Sequence, residues 1–346
     1  MRISKPILPL FKQFINDSES GKRLKKDGAK ISKGTIDNYR YVYHNLVAFC
    51  ADTNFDLRIC EAHKLNQREF VAEKNYWKKF HRRFSAYLYK KGCYDNYVGA
   101  NFKNFRTFIN YLRNEKNFNT GDFYKSLHIR KEEVAILVLS PEQLKFLIHD
   151  RDFEASLTSA ERRIKDVFVM GCTTGLRFSD LFLLTTKNIE TTADGVYLKT
   201  RSKKTKSNSA IKLPGYALDI VDRYKSRSSK KPLFAPVSLF IFNRTLKQIG
   251  EKAGFVQPIQ VTREKLGKTT VVAKNNKVER FCDKMSSHMM RRTAITTLLI
   301  LGMPEHMVRA ISGHSANSTS FYRYVKYAQS YLDQEIDKVH RKLEMI

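Results

Sequence analysis

The 346-residue sequence has few cysteines, few acidic residues and no long apolar run. Its longest apolar stretches, Val167–Cys172 and Thr297–Met303, fall well short of the roughly 18–20 residues that span a bilayer. The first residues also lack the long apolar core and small-residue cleavage site of a secretory signal. These absences argue against a membrane-spanning or secreted protein and predict a cytoplasmic one without a membrane partner.

The cysteines are odd in number, widely spaced and without any C-x-x-C pair. This spacing favours neither a zinc site nor a disulfide framework. We therefore predict reduced and mostly buried thiols at Cys50, Cys60, Cys93, Cys172 and Cys282.

Acidic residues are scarce relative to basic ones. Lys and Arg number 63 against 34 Asp and Glu, which gives a formal net charge of +29. Residues 1–130 hold 26 basic and 12 acidic residues, hence +14, and the remainder carries +15. Such a charge repels itself in a compact chain unless a polyanion is the usual partner, and nucleic acid is the leading candidate. Because both parts are basic, we expect the ligand to be gripped from two sides.

Helical spacing of aromatic residues dominates the first part of the chain. Residues 1–33 are predicted to form an arm or an extra helix around Ile7–Ile15, and residues 34–125 a helical domain whose first helix is capped by Thr35. Further helices are predicted over Phe70–Tyr89 and Tyr97–Tyr111, with their aromatic stripes in the core. The interleaved basic residues would lie outside and suit phosphate contacts, although a solvated face is the alternative. These residues are Lys78, Lys79, Arg82, Arg83, Lys90 and Lys91.

A polar stretch separates this region from a second domain. We take residues 126–135 as the linker and 136–346 as the second domain, where Ser140, Pro141 and Gln143 form a helix start with a capping box. Alternating apolar residues over Ile189–Pro214 predict a small sheet with a Lys-rich tip. A second strand pair is predicted over Ile259–Thr262 and Thr270–Val272. The fold class is therefore mainly α with a small antiparallel β-sheet, in two domains.

Four segments of the second domain carry reactive side chains. They are Thr174–Asp180 with Arg177, the tip with Lys203, Lys204 and Lys206, Ser287–Arg291 with His288, and Ser312–His314 followed by Tyr324. His288 and Arg291 are three residues apart and share one face of a helix. Converging Arg, Lys and His side chains would stabilise the negative charge on a phosphodiester under attack. No acidic cluster indicates a two-metal site, so metal-free chemistry with a side-chain nucleophile is favoured, with no cofactor.

The ordered set Arg177, Lys204, His288-x-x-Arg291, Gly313-His314 and Tyr324 resembles the tyrosine recombinase (phage integrase) family, in particular integrases of mobile elements. The resemblance covers the second domain. It implies a two-domain C-shaped clamp, with a helical core-binding (SAM-like) domain and a catalytic domain. It also implies a site-specific recombinase that cuts and rejoins double-stranded DNA through a 3′-phosphotyrosyl intermediate. The family scheme further implies a homotetramer acting through a Holliday junction, with possible accessory DNA-bending or directionality proteins.

The family scheme also implies a role for each matched residue. Arg177 and Arg291 would clamp the phosphate, and His288 and His314 would hydrogen-bond it and assist proton transfer. Lys204 would protonate the leaving 5′ oxygen, Tyr324 would be the nucleophile, and Asp180 would orient the site.

The nucleophile, the catalytic lysine and the function each have alternatives. Tyr322 and Tyr327 are neighbouring rivals of Tyr324, and Lys203 and Lys206 are rivals of Lys204. A type IB topoisomerase-like enzyme and a non-catalytic DNA-binding protein of the same fold are the alternative functions. A tail helix after Ser330, with Leu332, Ile336 and Val339 at helical spacing, is expected to pack on its own domain or on a neighbouring protomer.

Overall fold

The computed structural model describes residues 4–201, 208–226, 228, 230–272, 278–315 and 318–344. The chain is mainly α-helical with small antiparallel sheets, which confirms the predicted fold class. The helices are α1 Ile7–Ser20, α2 Lys33–Thr53, α3 Gln67–Lys90, α4 Asp95–Glu115, α5 Pro141–His149, α6 Arg151–Ser156, α7 Ser159–Thr174, α8 Phe178–Leu181, α9 Gly215–Tyr224, α10 Leu239–Lys252, α11 Phe281–Lys284, α12 Ser287–Ile300, α13 Glu305–Ser312 and α14 Tyr322–Glu344. The strands are β1 Ser4–Pro6, β2 Arg58–Cys60, β3 Ile189–Thr192, β4 Gly195–Arg201, β5 Asn208–Lys212, β6 Pro258–Ile259, β7 Thr262–Lys265, β8 Lys268–Val271 and β9 Glu279–Arg280.

Tertiary contacts divide the chain into two compact units. Unit 1 comprises Met1–Val134 and Thr262–Val272, and unit 2 comprises Ala135–Val261 and Ala273–Ile346. The sequence had suggested that residues 262–272 belong to the second domain, whereas their contacts group them with unit 1.

Aromatic side chains form the core of unit 1. The stripe on α3, from Trp77 through Phe80 and Phe84, is buried, as predicted. The α1 helix belongs to this core, because Phe11 packs against Phe108 of α4 with ring centroids 4.6 Å apart. Burial of such rings removes the large apolar surface that dominates core energetics. The first 20 residues therefore contribute a core helix to this unit.

The predicted N-cap of α2, Thr35, lies three residues after the observed one. The helix begins at Lys33 and its N-cap is Ser32, whose hydroxyl lies 2.9 Å from the hydroxyl of Thr35. Both residues are good N-cap types, so local sequence preference did not separate them. The predicted cap at Ser140 is confirmed, because its hydroxyl accepts from the Gln143 amide in a complete capping box.

The hairpin β7–β8 packs within unit 1 on two buried carboxylates. Asp95 accepts the amides of Leu266 and Gly267, both at 2.8 Å. Glu132 accepts the side chain of Arg263 and the amide of Glu264. The strands differ from the predicted pair, since Leu266 and Gly267 both have positive φ and form a tight turn between Lys265 and Lys268.

Helix α7 runs through the core of unit 2 and packs against α12. A Cβ at Gly171 of α7 would come within 2.5–3.0 Å of Met290 side-chain atoms. The two helices therefore approach as closely as they do because position 171 has no side chain. This contact matters for the site because α12 carries His288 and Arg291.

The predicted sheet is present as β3–β4–β5. Leu198 pairs with Ile211, and both are buried against the core of unit 2. The alternation of apolar residues therefore placed these strands correctly. The tip residues Lys203, Lys204 and Lys206 lie outside the described residues.

All five cysteines are free thiols, three of them buried and two half-buried. Within the described ranges, no helix is both long enough and apolar enough to cross a bilayer.

Candidate active site

Arg177 follows a sharp turn at the end of α7. Gly175 ends the helix in the left-handed region, with φ of 66°, and its amide donates to the Gly171 carbonyl. After this turn Arg177 becomes the N-cap of α8, where it is half-buried and Asp180 is buried. The Thr-Gly-Leu-Arg segment thus ends one helix at its glycine and places the Arg177 side chain at the start of the next.

His288 and Arg291 lie on the first two turns of α12. The start of the helix is held by the Ser287 amide, which donates to the Asn243 side chain at 2.8 Å. His288 is exposed, whereas Arg291 is half-buried. Their spacing of three residues puts them on one face of the helix, as predicted.

Arg291 connects the separate segments of the site. Its Nη1 donates to the Gly175 carbonyl at 2.9 Å, and its Nη2 donates to the Ser312 carbonyl and lies 3.4 Å from His314 Nδ1. Burial, followed by the positive charge of Arg177, lowers the pKa of Arg291 to about 10, while Tyr324 and Asp180 act in the opposite direction. Arg291 therefore stays charged at neutral pH.

His314 follows α13 across a left-handed glycine. Gly313, with φ of 60°, ends the helix, and the His314 amide donates to the Arg309 carbonyl at 3.0 Å. The imidazole Nδ1 lies 2.8 Å from the hydroxyl of Ser312. Burial and then the charges of Arg291, Arg177 and Arg309 lower the pKa of His314 to about 4. The ring is therefore neutral at pH 7.

Tyr324 lies in the first turn of α14, beside His314. The two ring centroids are 6.0 Å apart, and Tyr324 packs at the same distance from buried Phe321. Tyr322, in contrast, is 58% exposed, and the Arg309 guanidinium lies 5.2 Å from its ring. Tyr327 is half-buried, and that burial raises its pKa. Of the three tyrosines, Tyr324 is the one whose ring is in contact with the His314 side chain among the described contacts.

One arm of the Lys-rich hairpin, β5, reaches the same region. The Ser209 hydroxyl on β5 donates to the carbonyl of Ile311, three residues before His314. The predicted Lys204 and its rivals fall between Arg201 and Asn208 and lie outside the described residues.

Two residues near the site had no role in the sequence analysis. Ser312 is buried and touches His314, and Arg309 is buried with its guanidinium 4.1 Å from the Phe321 ring. Arg309 also pairs with Glu305 and donates to the Ser315 carbonyl. The i,i+4 spacing of Glu305 and Arg309 was the only local signal for this contact. By these contacts Arg309 holds both ends of the segment between α13 and α14.

The predicted DNA-binding residues on α3 and at its C-cap, Lys91, differ in exposure and contacts. Lys78, Lys79, Arg82 and Lys90 are exposed. Arg83 is half-buried, donates to the Thr53 carbonyl at 2.9 Å and lies over Phe55. Lys91 is exposed, but lies over the Tyr87 ring and 3.7 Å from Asp52.

Two arginines, a neutral imidazole and a tyrosine thus converge in unit 2. Such a set can stabilise negative charge on a phosphate and present a phenol to it. Among the described residues, no three His, Cys, Asp or Glu side chains come together as a potential metal site.

Comparison with known proteins gives the family. The model of the phage integrase family matches residues 138–330, more than half of the chain. No curated protein matches the sequence.

Several solved structures share the fold at low sequence identity. The Tn1549 transposon integrase in complex with transposon right end DNA is 13% identical, with a TM-score of 0.59 over 95% of this chain and 99% of that one. A lambda integrase dimer bound to a COC′ core site is 12% identical, with a TM-score of 0.61 over 93% and 77%. The XerH site-specific recombinase in a post-cleavage complex with palindromic difH is 12% identical, with a TM-score of 0.63 over 97% and 99%. The chain belongs to the phage integrase family and is a tyrosine-type site-specific recombinase, an enzyme that cuts and rejoins DNA.

Proposed function

We propose that this enzyme cleaves DNA by attack of Tyr324 on the scissile phosphate, with Arg177, Arg291, His288 and His314 around that phosphate. The observation that carries the proposal is the position of the Tyr324 ring next to His314, which in turn contacts Arg291. Each of these residues also matches the ordered motif in the sequence.

The cleavage step exchanges one phosphoester for another. The Tyr324 oxygen forms a bond to phosphorus, the bond from phosphorus to the 5′ oxygen breaks, and a 3′-phosphotyrosyl link remains. The phenol proton passes to His288, and the leaving 5′ oxygen takes a proton from Lys204. Religation reverses these transfers with a new 5′ hydroxyl. Because the phosphodiester is retained as a protein–DNA ester, no external energy source is required.

His314 is proposed to donate a hydrogen bond rather than a proton. Its pKa of about 4 leaves it neutral at pH 7, so it is a poor acid there. A neutral imidazole still has one N–H that can donate to a non-bridging oxygen. Arg177 and Arg291 supply the positive charge, and Asp180, near Arg291, orients the pair.

The test of the nucleophile compares two neighbouring tyrosines. The substrate is a suicide duplex carrying the recombination site identified by footprinting, and the readout is a covalent protein–DNA adduct that survives denaturation. Tyr324→Phe removes only the attacking oxygen, so we expect no adduct and retained binding in a gel shift. Tyr322→Phe is the matched control and should form the adduct at the wild-type level.

Either of two results would overturn this assignment. An adduct formed by Tyr324→Phe would move the nucleophile elsewhere, and its loss in Tyr322→Phe alone would move it to Tyr322. If the wild-type protein binds the site but forms no adduct, the result favours the alternative of a non-catalytic DNA-binding protein. Nicking and resealing without a strand-transfer product would instead favour a type IB topoisomerase-like activity.

The partner of the enzyme is DNA, and we propose the details of the complex. The structural neighbours include integrases and a recombinase solved on DNA, one of them as a dimer on a core site. For this chain we propose a homotetramer that pairs two sites and proceeds through a Holliday junction, with accessory DNA-bending or directionality proteins as possible partners. Native mass measurement on paired sites checks the stoichiometry.

We further propose that the basic residues of α3 and its C-cap bind phosphates. Lys78, Lys79, Arg82 and Lys90 are supported by their exposure, whereas Arg83 and Lys91 also make contacts within unit 1. Activity in the cytoplasm remains a proposal that follows from the DNA substrate and the free thiols.

A further inference from the structure

Ser312 is placed to control the imidazole of His314. It is the last residue of α13 and is 3% exposed. Because Gly313 turns the chain back in the left-handed region, the His314 ring returns to the end of the helix. The Ser312 Oγ then lies 2.8 Å from His314 Nδ1, an ordinary hydrogen-bond distance.

The neighbours of Nδ1 indicate whether this nitrogen carries a proton or accepts a hydrogen bond. A neutral imidazole has one N–H donor and one acceptor nitrogen. Arg291 has only donors, and its Nη2 lies 3.4 Å from Nδ1. A proton on Nδ1 would therefore point toward a cationic donor. With Nδ1 unprotonated, it accepts from the Ser312 hydroxyl and is also attracted to the Arg291 guanidinium.

The Ser312 hydroxyl has one proton to donate, and two acceptors lie near it. The Arg309 carbonyl lies 3.4 Å from Oγ, whereas His314 Nδ1 lies at 2.8 Å. The shorter contact is the stronger one. The Ser312 carbonyl is already occupied by Arg291. Ser312 thus accepts a hydrogen bond from Arg291 with its main-chain carbonyl and donates one to His314 with its side chain.

We propose that Ser312 is a positioning residue that holds His314 as the tautomer with its proton on Nε2. The consequence of this tautomer rests on the proposed function, in which the Nε2–H donates a hydrogen bond to a phosphate oxygen. In the other tautomer, Nε2 would be an acceptor, and its lone pair would face the negatively charged oxygens instead. Ser312 therefore acts through His314 without touching the DNA.

The test reads the tautomer directly in the DNA-free, full-length protein. Histidine labelled with ¹⁵N is observed by NMR at pH 7, and the signals of His314 are assigned from their loss in His314→Gln. We expect wild-type His314 to be protonated on Nε2. In Ser312→Ala we expect an Nδ1-protonated population to appear, and in Ser312→Thr, which keeps the hydroxyl, the wild-type tautomer.

Cleavage of the suicide duplex provides the second readout. Loss of one hydrogen bond predicts a single-turnover rate about 2- to 10-fold lower in Ser312→Ala. Ser315→Ala is the matched control, since Ser315 follows His314 directly and is exposed, and its rate should not change.

The two proposals fail in different ways. Wild-type His314 protonated on Nδ1, or an unchanged tautomer in Ser312→Ala, overturns the role of Ser312 whatever the nucleophile is. An adduct in Tyr324→Phe overturns the proposed cleavage step and leaves the tautomer result intact. The wild-type spectrum tests the tautomer by itself, so a proton on Nδ1 there would overturn the proposal even if Ser312→Ala folded poorly.

Discussion

At the scale of single residues, Arg291 determines how the site is assembled. Its guanidinium has five N–H groups, and donors on Nη1 and Nη2 bind the carbonyls of Gly175 and Ser312. Arg177 lies two residues after the first carbonyl and His314 two residues after the second. Arg291 therefore sets the spacing between two other site residues while keeping its charge. A lysine has no planar fork and could not bind both carbonyls in this way.

The neutral state of His314 predicts a pH-dependent stability. Between about pH 6.5 and pH 4 the unfolded chain holds a proton on this residue that the folded protein does not. The free energy of unfolding must therefore fall as the pH falls through this range. We expect His314→Gln to lose less stability than the wild type between pH 7 and pH 5, measured by urea unfolding at both values. Equal losses in the two proteins would contradict the neutral assignment, because every other group is shared.

At the scale of elements, the β7–β8 hairpin depends on a carboxylate that is distant in sequence. Asp95, in the first turn of α4, is 1% exposed and accepts from Leu266, Gly267 and the Tyr89 hydroxyl. Burial alone would raise the pKa of Asp95, but these hydrogen bonds together lower it. The carboxylate thus stays charged and satisfies two amides at the hairpin turn.

Removal of this carboxylate should release the hairpin. Asp95→Ala removes the charged acceptor of the Leu266 and Gly267 amides, at a cost of about 1.5–3 kcal/mol for each hydrogen bond to a charged group that is lost. We expect faster hydrogen exchange over residues 262–272, measured by mass spectrometry. Asp122→Ala is the matched control, because Asp122 is largely exposed and pairs with exposed Lys125. Unchanged exchange over 262–272 in Asp95→Ala would show that other contacts hold the hairpin.

At the scale of the whole molecule, the chain passes more than once between the two units and is basic along its length. The chain passes between them at residues 134–135, 261–262 and 272–273, so three segments rather than one connect them. The formal net charge of +29 is spread over the sequence, with +14 in residues 1–130. Binding to DNA should therefore release many counterions and weaken steeply with salt.

The α3 lysines allow this contribution to be measured. Lys78→Ala combined with Lys79→Ala should weaken DNA binding at all sequences and reduce the slope of log K against log salt by about one per lysine. Lys25→Ala combined with Lys26→Ala removes the same charge from exposed positions outside α3. Binding titrations at several salt concentrations give both slopes. A smaller slope in the control pair as well would mean that net charge, not α3, makes the contribution.

Local patterns in the sequence were sufficient for much of the fold. The aromatic stripe of α3, the cap at Ser140 and the small sheet over residues 189–214 depend on neighbours within a few residues or on strand alternation, and each was predicted. The start of α2 was missed because Ser32 and Thr35 are equivalent cap types locally.

By itself, the sequence determined the composition of the site, its ordered motif and the polyanionic class of the partner, because residue type and charge do not depend on folding. Only the tertiary structure decided what each group touches. It placed Tyr324 beside His314 and Tyr322 beside Arg309, packed residues 262–272 against Asp95, and brought Ser312 to the His314 imidazole. Apart from Ser312, these contacts join separate elements, and all of them rest on side-chain directions that spacing along the chain cannot specify.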